Sequence, residues 1–215
     1  MTARAGTDES GKGDYFGPLV VAAVYIEGAE EDVLAKAGVK DSKKLTDAGT
    51  LELGRVIRKT CKYDVVRINP ERYNQLYQKF GNLNKLLAWG HARAIENLLG
   101  QVGCKTVISD KFGDEKYLLD RLMKKGRKVQ LIQRTKAESD MAVAAASVIA
   151  REAFLLELES MSKRYGIRFP KGATVVEHAG RMFVNAYGAD RLSEVAKLHF
   201  KTTKRIIGKP SADKA

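Results

Sequence analysis

The chain has 215 residues, 44% hydrophobic and 30% charged, which is enough for one domain with a sizeable core. Its formal net charge of +12 favours polyanionic partners, with nucleic acid ahead of an acidic membrane surface. The two widely separated cysteines exclude a disulfide framework and suggest no zinc site. The apolar run at residues 19–26 is too short to cross a membrane and no signal-peptide pattern precedes it, so we expect a cytoplasmic protein.

Apolar patterns and turn residues along the chain predict an α/β fold. Three strands in a meander, followed by strands that alternate with helices, indicate a mixed five-stranded sheet flanked by helices, with a C-terminal helical region. No linker is evident, so residues 1–215 are predicted to form a single domain whose tail after about residue 207 is flexible. The predicted strands are residues 2–8, 19–26, 63–68, 105–110 and 129–135, and the predicted helices are 46–59, 82–100, 117–125, 139–163, 175–187 and 190–198.

Acidic residues stand at the ends of two predicted strands and at a strand-to-helix turn. Asp8 and Asp110 close strands, and Glu138 and Asp140 precede the long helix. Each acid alone could be a turn residue or a helix cap. If they converge, carboxylates without His or Cys nearby select Mg²⁺ or Mn²⁺, and two such ions can clamp both oxygens of a phosphodiester displacement.

Asp8 is followed directly by Glu9, and neighbouring strand residues point to opposite faces of a sheet. Both can serve one site only if the strand ends or bulges there, and we expect Ser10 and Gly11 to provide that break. The Gly11-Lys12-Gly13 stretch lacks the spacing of a phosphate-binding P-loop. It is either a glycine-rich hairpin turn or a backbone cradle that reads a ribose 2′-hydroxyl.

The motifs together resemble the type 2 ribonuclease H family, and within it the ribonuclease HIII branch. They are DESGKGDYFGPLVVAAV, VKDSKKLTD, GNLNKLLAWGHARAI, VISDKFG, TKAESDMAVAAASVIAR and FPKGAT…LSEVAKLHF, spread over about residues 5–205. The resemblance implies an RNase H-like fold and an endonuclease that uses two Mg²⁺ or Mn²⁺ ions to cut the RNA strand of RNA/DNA hybrids. The products would carry 5′-phosphate and 3′-hydroxyl ends.

The family's site residues can be carried over by position. Its four metal-binding, catalytic acids fall on Asp8, Glu9, Asp110 and Glu138, with Asp140 as the alternative for the fourth. Its Gly-Lys-Gly substrate cradle falls on Gly11, Lys12 and Gly13. The DSKKL segment makes Lys43 a candidate phosphate contact, although it could equally be a solvated surface lysine, and Asn82 could contact substrate or cap a helix.

Two departures from the family pattern qualify this expectation. Ribonuclease HIII usually carries an N-terminal TBP-like domain, whereas here the first motif begins at residue 8, so none is expected. Ribonuclease HII has a tyrosine in a KGYGT-like segment that helps it cut at single embedded ribonucleotides, whereas this chain reads KGAT with Ala173 there. We therefore expect cleavage within RNA tracts by a monomer, with incision at single ribonucleotides as the alternative. A non-catalytic binding module and a DNA nuclease of similar fold remain further readings.

Overall fold

A computed structural model of the chain describes residues 3–39 and 45–208. Five strands form one sheet in the order β3-β2-β1-β4-β5. β1 runs antiparallel to β2 and parallel to β4, and β4 runs parallel to β5. The prediction of a mixed five-stranded sheet is confirmed, whereas the expected flexible tail lies outside the described residues. The strands are β1 (Arg4–Ser10), β2 (Leu19–Ile26), β3 (Lys62–Ile68), β4 (Thr106–Asp110) and β5 (Gln130–Arg134).

At several helix starts, a side-chain cap satisfies the first backbone N–H groups. The Thr46 side chain accepts from the N–H of Gly49 at 3.1 Å, and Asn82 accepts from the N–H of Asn84 at 2.7 Å, which confirms capping at Asn82. The helices are α1 (Ala29–Lys36), α2 (Asp47–Thr60), α3 (Pro70–Phe80), α4 (Leu83–Leu98), α5 (Glu115–Leu119), α6 (Met141–Tyr165), α7 (Glu177–Tyr187) and α8 (Thr202–Ile207).

The predicted helices differ from the observed ones in several places. The helix predicted at residues 190–198 is a 3₁₀ turn at Ala189–Glu194, and α1, α3 and α8 were not predicted. For α3 the signal was present: Asn69 accepts from the N–H of Arg72 at 2.8 Å, and Pro70 occupies the first helical position. A proline there costs nothing because its missing N–H would have no partner within the helix.

Contacts divide the chain into two compact units. The first comprises Met1–Ser10, Val20–Arg67 and Phe80–Ala153, and the second comprises Gly11–Leu19, Ile68–Lys79 and Phe154–Ala215. The first contains most of the sheet, and the second is built around aromatic rings such as Phe16 against Phe169, with centroids 4.7 Å apart. No helix among the described residues is long and apolar enough to cross a membrane. The single-domain assignment remains a prediction.

The residues of β1 alternate between two helices of the first unit. Thr7 and Glu9 point towards α4, where both contact His91. Gly6 and Asp8 point the other way, towards α6, because the backbone of that helix packs directly on Gly6 and Ser147 bonds Asp8. A strand with period 2 thus delivers consecutive residues to opposite layers.

We expect the substitution Gly6→Ala to destabilise the protein, because its β-carbon would collide with the backbone of Ala142 and Val143. Overpacking of this kind costs about 1–3 kcal/mol, since helix backbone cannot rotate away as a side chain can. Denaturant titration would measure the loss. Gly103→Ala is the matched control because no atom lies within 4 Å of the place its β-carbon would take. Equal stability of the two variants would contradict close packing of β1 on α6.

Candidate active site

A pocket of about 300 Å³ lies at the carboxyl ends of β1 and β4. In an α/β sheet this is the end at which binding sites form. The four acids that were predicted from the motifs all line this pocket, although three separate segments of the chain contribute them. The lining residues are Asp8, Glu9, Ser10, Asp110, Glu138, Ser147 and Arg151.

Asp8 and Glu9 reach the pocket from the last residues of β1. The break expected at Ser10 and Gly11 is confirmed as a strand end and not as a bulge: β1 pairs regularly with β2 through Ser10, and Gly11, with φ of 88°, turns the chain. Asp8 lies on the α6 side of β1 and Glu9 on the α4 side, yet both line the pocket. Side chains on both faces of the sheet can therefore reach the space beyond the end of β1. The alternation along the strand does not keep Asp8 and Glu9 apart.

Asp110 and Glu138 are linked by the backbone of a short turn. The Asp110 carboxylate accepts from the N–H of Ala137 at 3.1 Å, within the 3₁₀ turn Ala137–Ser139. Lys136, just before that turn, has a left-handed backbone with φ of 54°. This conformation turns the chain after β5, so that Glu138 lines the same pocket as Asp110.

Asp140, the alternative fourth acid, is held in a different arrangement. Its carboxylate pairs with Arg4 at 2.7 Å and caps α6 by accepting from the N–H of Ala142 at 2.9 Å. Arg4 in turn makes two hydrogen bonds, of 2.9 and 3.0 Å, to Glu31. Asp140 does not line the pocket with the other acids, whereas Glu138 does. The geometry favours Glu138 as the fourth member.

The pocket combines four acids with one arginine. Burial, and next the charge of Glu9, raise the pKa of Asp8 to about 7, against opposing hydrogen bonds from the Glu9 N–H and Ser147. Arg151 brings positive charge to the pocket and pairs with Asp47 at 3.0 Å. In residues 3–39 and 45–208, no three Asp, Glu, His or Cys side chains are grouped tightly enough to hold a metal ion as they stand.

His91 is a site component that sequence reasoning missed. It is fully buried on α4, with Nε2 3.0 Å from Oε2 of Glu9, and its ring stacks on Phe112 with centroids 4.8 Å apart. Thr7 donates its hydroxyl hydrogen to the carbonyl of Ala22 at 2.8 Å, so its oxygen can only accept from Nδ1 of His91, 3.0 Å away. Nδ1 of His91 therefore carries a hydrogen. The contact between Nε2 and Glu9 requires a further hydrogen, on Nε2 or on the carboxyl group, and this hydrogen bond fixes the orientation of the Glu9 side chain.

The Gly11-Lys12-Gly13 stretch belongs to the second unit. Gly11 has φ of 88° and its carbonyl accepts from the N–H of Asp14 at 3.3 Å, which makes a tight turn. A side chain on Gly11 would collide with the carbonyl of Pro18. Lys12 and Gly13 are exposed at the tip of the turn. Lys43, the other predicted substrate contact, lies outside the described residues.

A buried lysine holds this turn. Lys197 is fully buried and its ammonium donates to the carbonyls of Asp14 at 2.9 Å and Gly17 at 2.7 Å. It also lies 5.6 Å from the centre of the Tyr73 ring. Burial lowers the pKa of Lys197 to about 7, with the charge of Asp14 acting in the opposite direction. His199, whose own pKa is lowered by burial and by Lys197, lies nearby with its ring centre 5.5 Å from that of Tyr73.

Comparison with known proteins gives a consistent set of relatives. The family model described as Ribonuclease HII matches residues 5–203. The chain is 50% identical over 210 residues to ribonuclease HIII of Protochlamydia amoebophila, covering 97% of this chain and 70% of the relative.

The chain belongs to the ribonuclease HII/HIII family. Ribonuclease HIII of Chlamydia felis is 46% identical over 216 residues, covering 99% of this chain and 72% of the relative. The crystal structure of Bst-RNase HIII in complex with Mn²⁺ superposes with a TM-score of 0.89 at 34% identity, covering 95% of this chain and 68% of that one. The chain is accordingly a ribonuclease H, an endonuclease with an RNase H-like fold.

We expect His91→Phe to lower the kcat of this ribonuclease H by about 10–100-fold, as is typical when a partner that orients an acidic ligand is lost. Phenylalanine preserves the ring against Phe112 but removes both hydrogen bonds. KM should change little, because His91 is buried. His91→Gln, which can still donate to Glu9, should recover part of the rate at a similar melting temperature. Full activity of the phenylalanine variant would rule out a positioning role.

Lys197 should make stability depend on pH. In the unfolded chain its ammonium keeps its proton up to about the 10.5 of a free lysine, whereas the buried group loses it near 7. The unfolded state therefore binds more protons between these values, and the free energy of unfolding should rise with pH across that window and level off below 7.

Denaturant titrations at several pH values between 6 and 10 would measure this slope. Lys197→Met, which cannot titrate, should lack that part of it. Subtracting the variant's profile removes the contributions of the facing groups Asp14, Tyr73 and His199. Parallel profiles would mean that Lys197 remains charged in the folded protein.

Proposed function

We propose that this chain hydrolyses the RNA strand of RNA/DNA hybrids and leaves 5′-phosphate and 3′-hydroxyl ends. The observation that carries the proposal is the pocket in which Asp8, Glu9, Asp110 and Glu138 meet. A binding module for nucleic acid would lose affinity by keeping four carboxylates in its groove, because they repel phosphate. The net charge of +12 leaves ample positive surface elsewhere for the rest of the polyanion.

The donor set fits hard divalent cations. Four carboxylates line one pocket without a cysteine, and the charge of Glu9 adds to burial, the larger cause, in raising the pKa of Asp8. The Mn²⁺ complex of the similar Bst-RNase HIII supports the same ligand class. Two Mg²⁺ or Mn²⁺ ions held by Asp8, Glu9, Asp110 and Glu138 would supply the charge that activates the attacking water and stabilises the leaving 3′-oxygen. The carboxylates must rotate closer together to hold them.

The other residues of the chain have separate tasks in this proposal. His91 keeps Glu9 in place through their 3.0 Å contact. Arg151 is a cation in the pocket and suits a phosphate oxygen of the substrate. The exposed turn at Lys12 and Gly13 offers backbone groups to the ribose 2′-hydroxyl, which distinguishes RNA from DNA. A monomeric state and a cytoplasmic location remain predictions.

The substitution Asp110→Asn should abolish cleavage of a labelled RNA/DNA hybrid even at saturating Mg²⁺. We expect a loss of more than about 100-fold, beyond that typical of residues that only orient a ligand. The matched control is Asp32→Asn, which neutralises an exposed acid on α1. Near-normal cleavage by the Asp110 variant would refute the assignment of this pocket.

Substrate choice can be tested on four duplexes cut by the same preparation. The full hybrid and a duplex with four ribonucleotides should be cleaved, and an all-DNA duplex should not. A duplex with one ribonucleotide should be cut poorly, because Ala173 occupies the KGAT segment in place of a tyrosine. Efficient incision there would favour the ribonuclease HII-type alternative, and cleavage of all-DNA would exclude a ribonuclease H.

A further inference from the structure

A second groove in the first unit lies apart from the acidic pocket. It has a volume of about 690 Å³ and runs between α4 and the segment 120–128 that follows α5. Its floor is apolar: the half-buried ring of Trp89 lies beside Ala92, Leu122 and Met123. None of its lining residues is shared with the acidic pocket.

The rim of this groove is strongly basic. The segment 116–128 contains six lysines and arginines and one acid. Arg121, Lys124, Arg127 and Lys128 line the groove, and all four are exposed. Within the part of the chain that the structure describes, no carboxylate forms an ion pair with any of them. Arg121 lies over the Phe80 ring, 4.9 Å from its centre, and Asp120 is the one acid of the lining, so the groove keeps a net positive charge for an anionic ligand.

The backbone that carries these cations is held firmly. The Glu96 carboxylate, on α4, accepts from the N–H of Lys125 at 2.9 Å and from the N–H of Gly126 at 2.8 Å. Leu122 is buried in the core beneath the segment. Arg127 Nε donates to the carbonyl of Leu122 at 2.9 Å. A rigid backbone lowers the conformational entropy lost on binding. The groove is therefore a preorganised surface and not a flexible basic loop.

The combination of an aromatic ring with surrounding cations points to one chemical class of ligand. We propose that the groove binds single-stranded nucleic acid, with a base on Trp89 and the backbone phosphates on Arg121, Lys124, Arg127 and Lys128. Bases within a duplex are already stacked on each other, whereas an unpaired base can lie on a side-chain ring. An acidic polypeptide would satisfy the cations but would leave Trp89 without a planar partner.

Binding to this groove does not depend on the hydrolytic reaction. An unpaired single strand that flanks an RNA/DNA hybrid would suit this groove. That use of the groove rests on the proposed function. The binding itself can be measured with metal removed by EDTA. A failure of cleavage would therefore not affect it, and a failure of binding would leave the cleavage proposal intact.

Trp89 is the sole tryptophan of the chain and reports on the groove directly. Titration of the full chain with a dT oligonucleotide in EDTA should quench its fluorescence. Anisotropy of a labelled dT oligonucleotide measures the affinity of variants. Trp89→Ala should weaken binding about tenfold, and Trp89→Phe, which retains a stacking ring, should recover most of that loss.

The phosphate contacts are tested with a triple variant, R121A/K124A/R127A. It should flatten the slope of log K against log salt by about 2, because about 0.7 of a counterion is released per phosphate on single strands. The matched control, K36A/K59A/K62A, removes three exposed lysines from α1, α2 and β3 and changes the net charge equally. It should leave the quenching of Trp89 intact.

Three results would overturn the proposal. The first is binding of dT without any change in Trp89 emission. The second is equal weakening by the triple variant and its control, which would mean a diffuse charge effect. The third is quenching by polyglutamate as strong as that by dT at matched charge, which would assign the groove to an acidic protein partner.

Discussion

The repulsion between carboxylates brought together at one edge of a sheet is the constraint on which the active site depends. Repulsion from Glu9 adds to burial, the larger cause, in raising the pKa of Asp8 to about 7. The fold restrains these groups with directed hydrogen bonds: the Glu9 N–H for Asp8, His91 for Glu9, and the Ala137 N–H for Asp110. Those donors orient the carboxylates, and the four acids still outnumber the one arginine of the pocket.

The sheet topology is what allows the acids to meet. β1 is antiparallel to β2 but parallel to β4, so the carboxyl ends of β1 and β4 lie at the same edge. The alternation along β1 then distributes the supporting contacts, with α4 holding Glu9 and α6 holding Asp8. Loss of the close approach at Gly6 would shift α6 relative to the strand. A packing contact two residues away is therefore part of the site's geometry.

Much of this could be predicted from the sequence, because the signals were local. The unbroken apolar run of β2 marked a fully buried strand, and acids at strand ends marked the edge of the sheet. The break expected at Ser10 and Gly11 takes the form of a strand end, beyond which strand alternation no longer separates Asp8 from Glu9. His91 was missed because a histidine among apolar helix residues shows no partner until the fold brings Glu9 and Thr7 to it. The pairing of Asp140 with Arg4, 136 positions away, was equally invisible.

The backbone of Lys136 is held in an unfavourable conformation. Among the described residues it is the one non-glycine with positive φ, a conformation that is unfavourable by about 1 kcal/mol or more for a side chain with a β-carbon. Glycine or asparagine would adopt this conformation more easily. A more flexible turn, however, would leave the position of Glu138 less well defined. A substitution that relaxes this turn would raise thermostability but would leave the Glu138 side chain less well oriented. Stability and catalytic rate therefore place opposite demands on this segment.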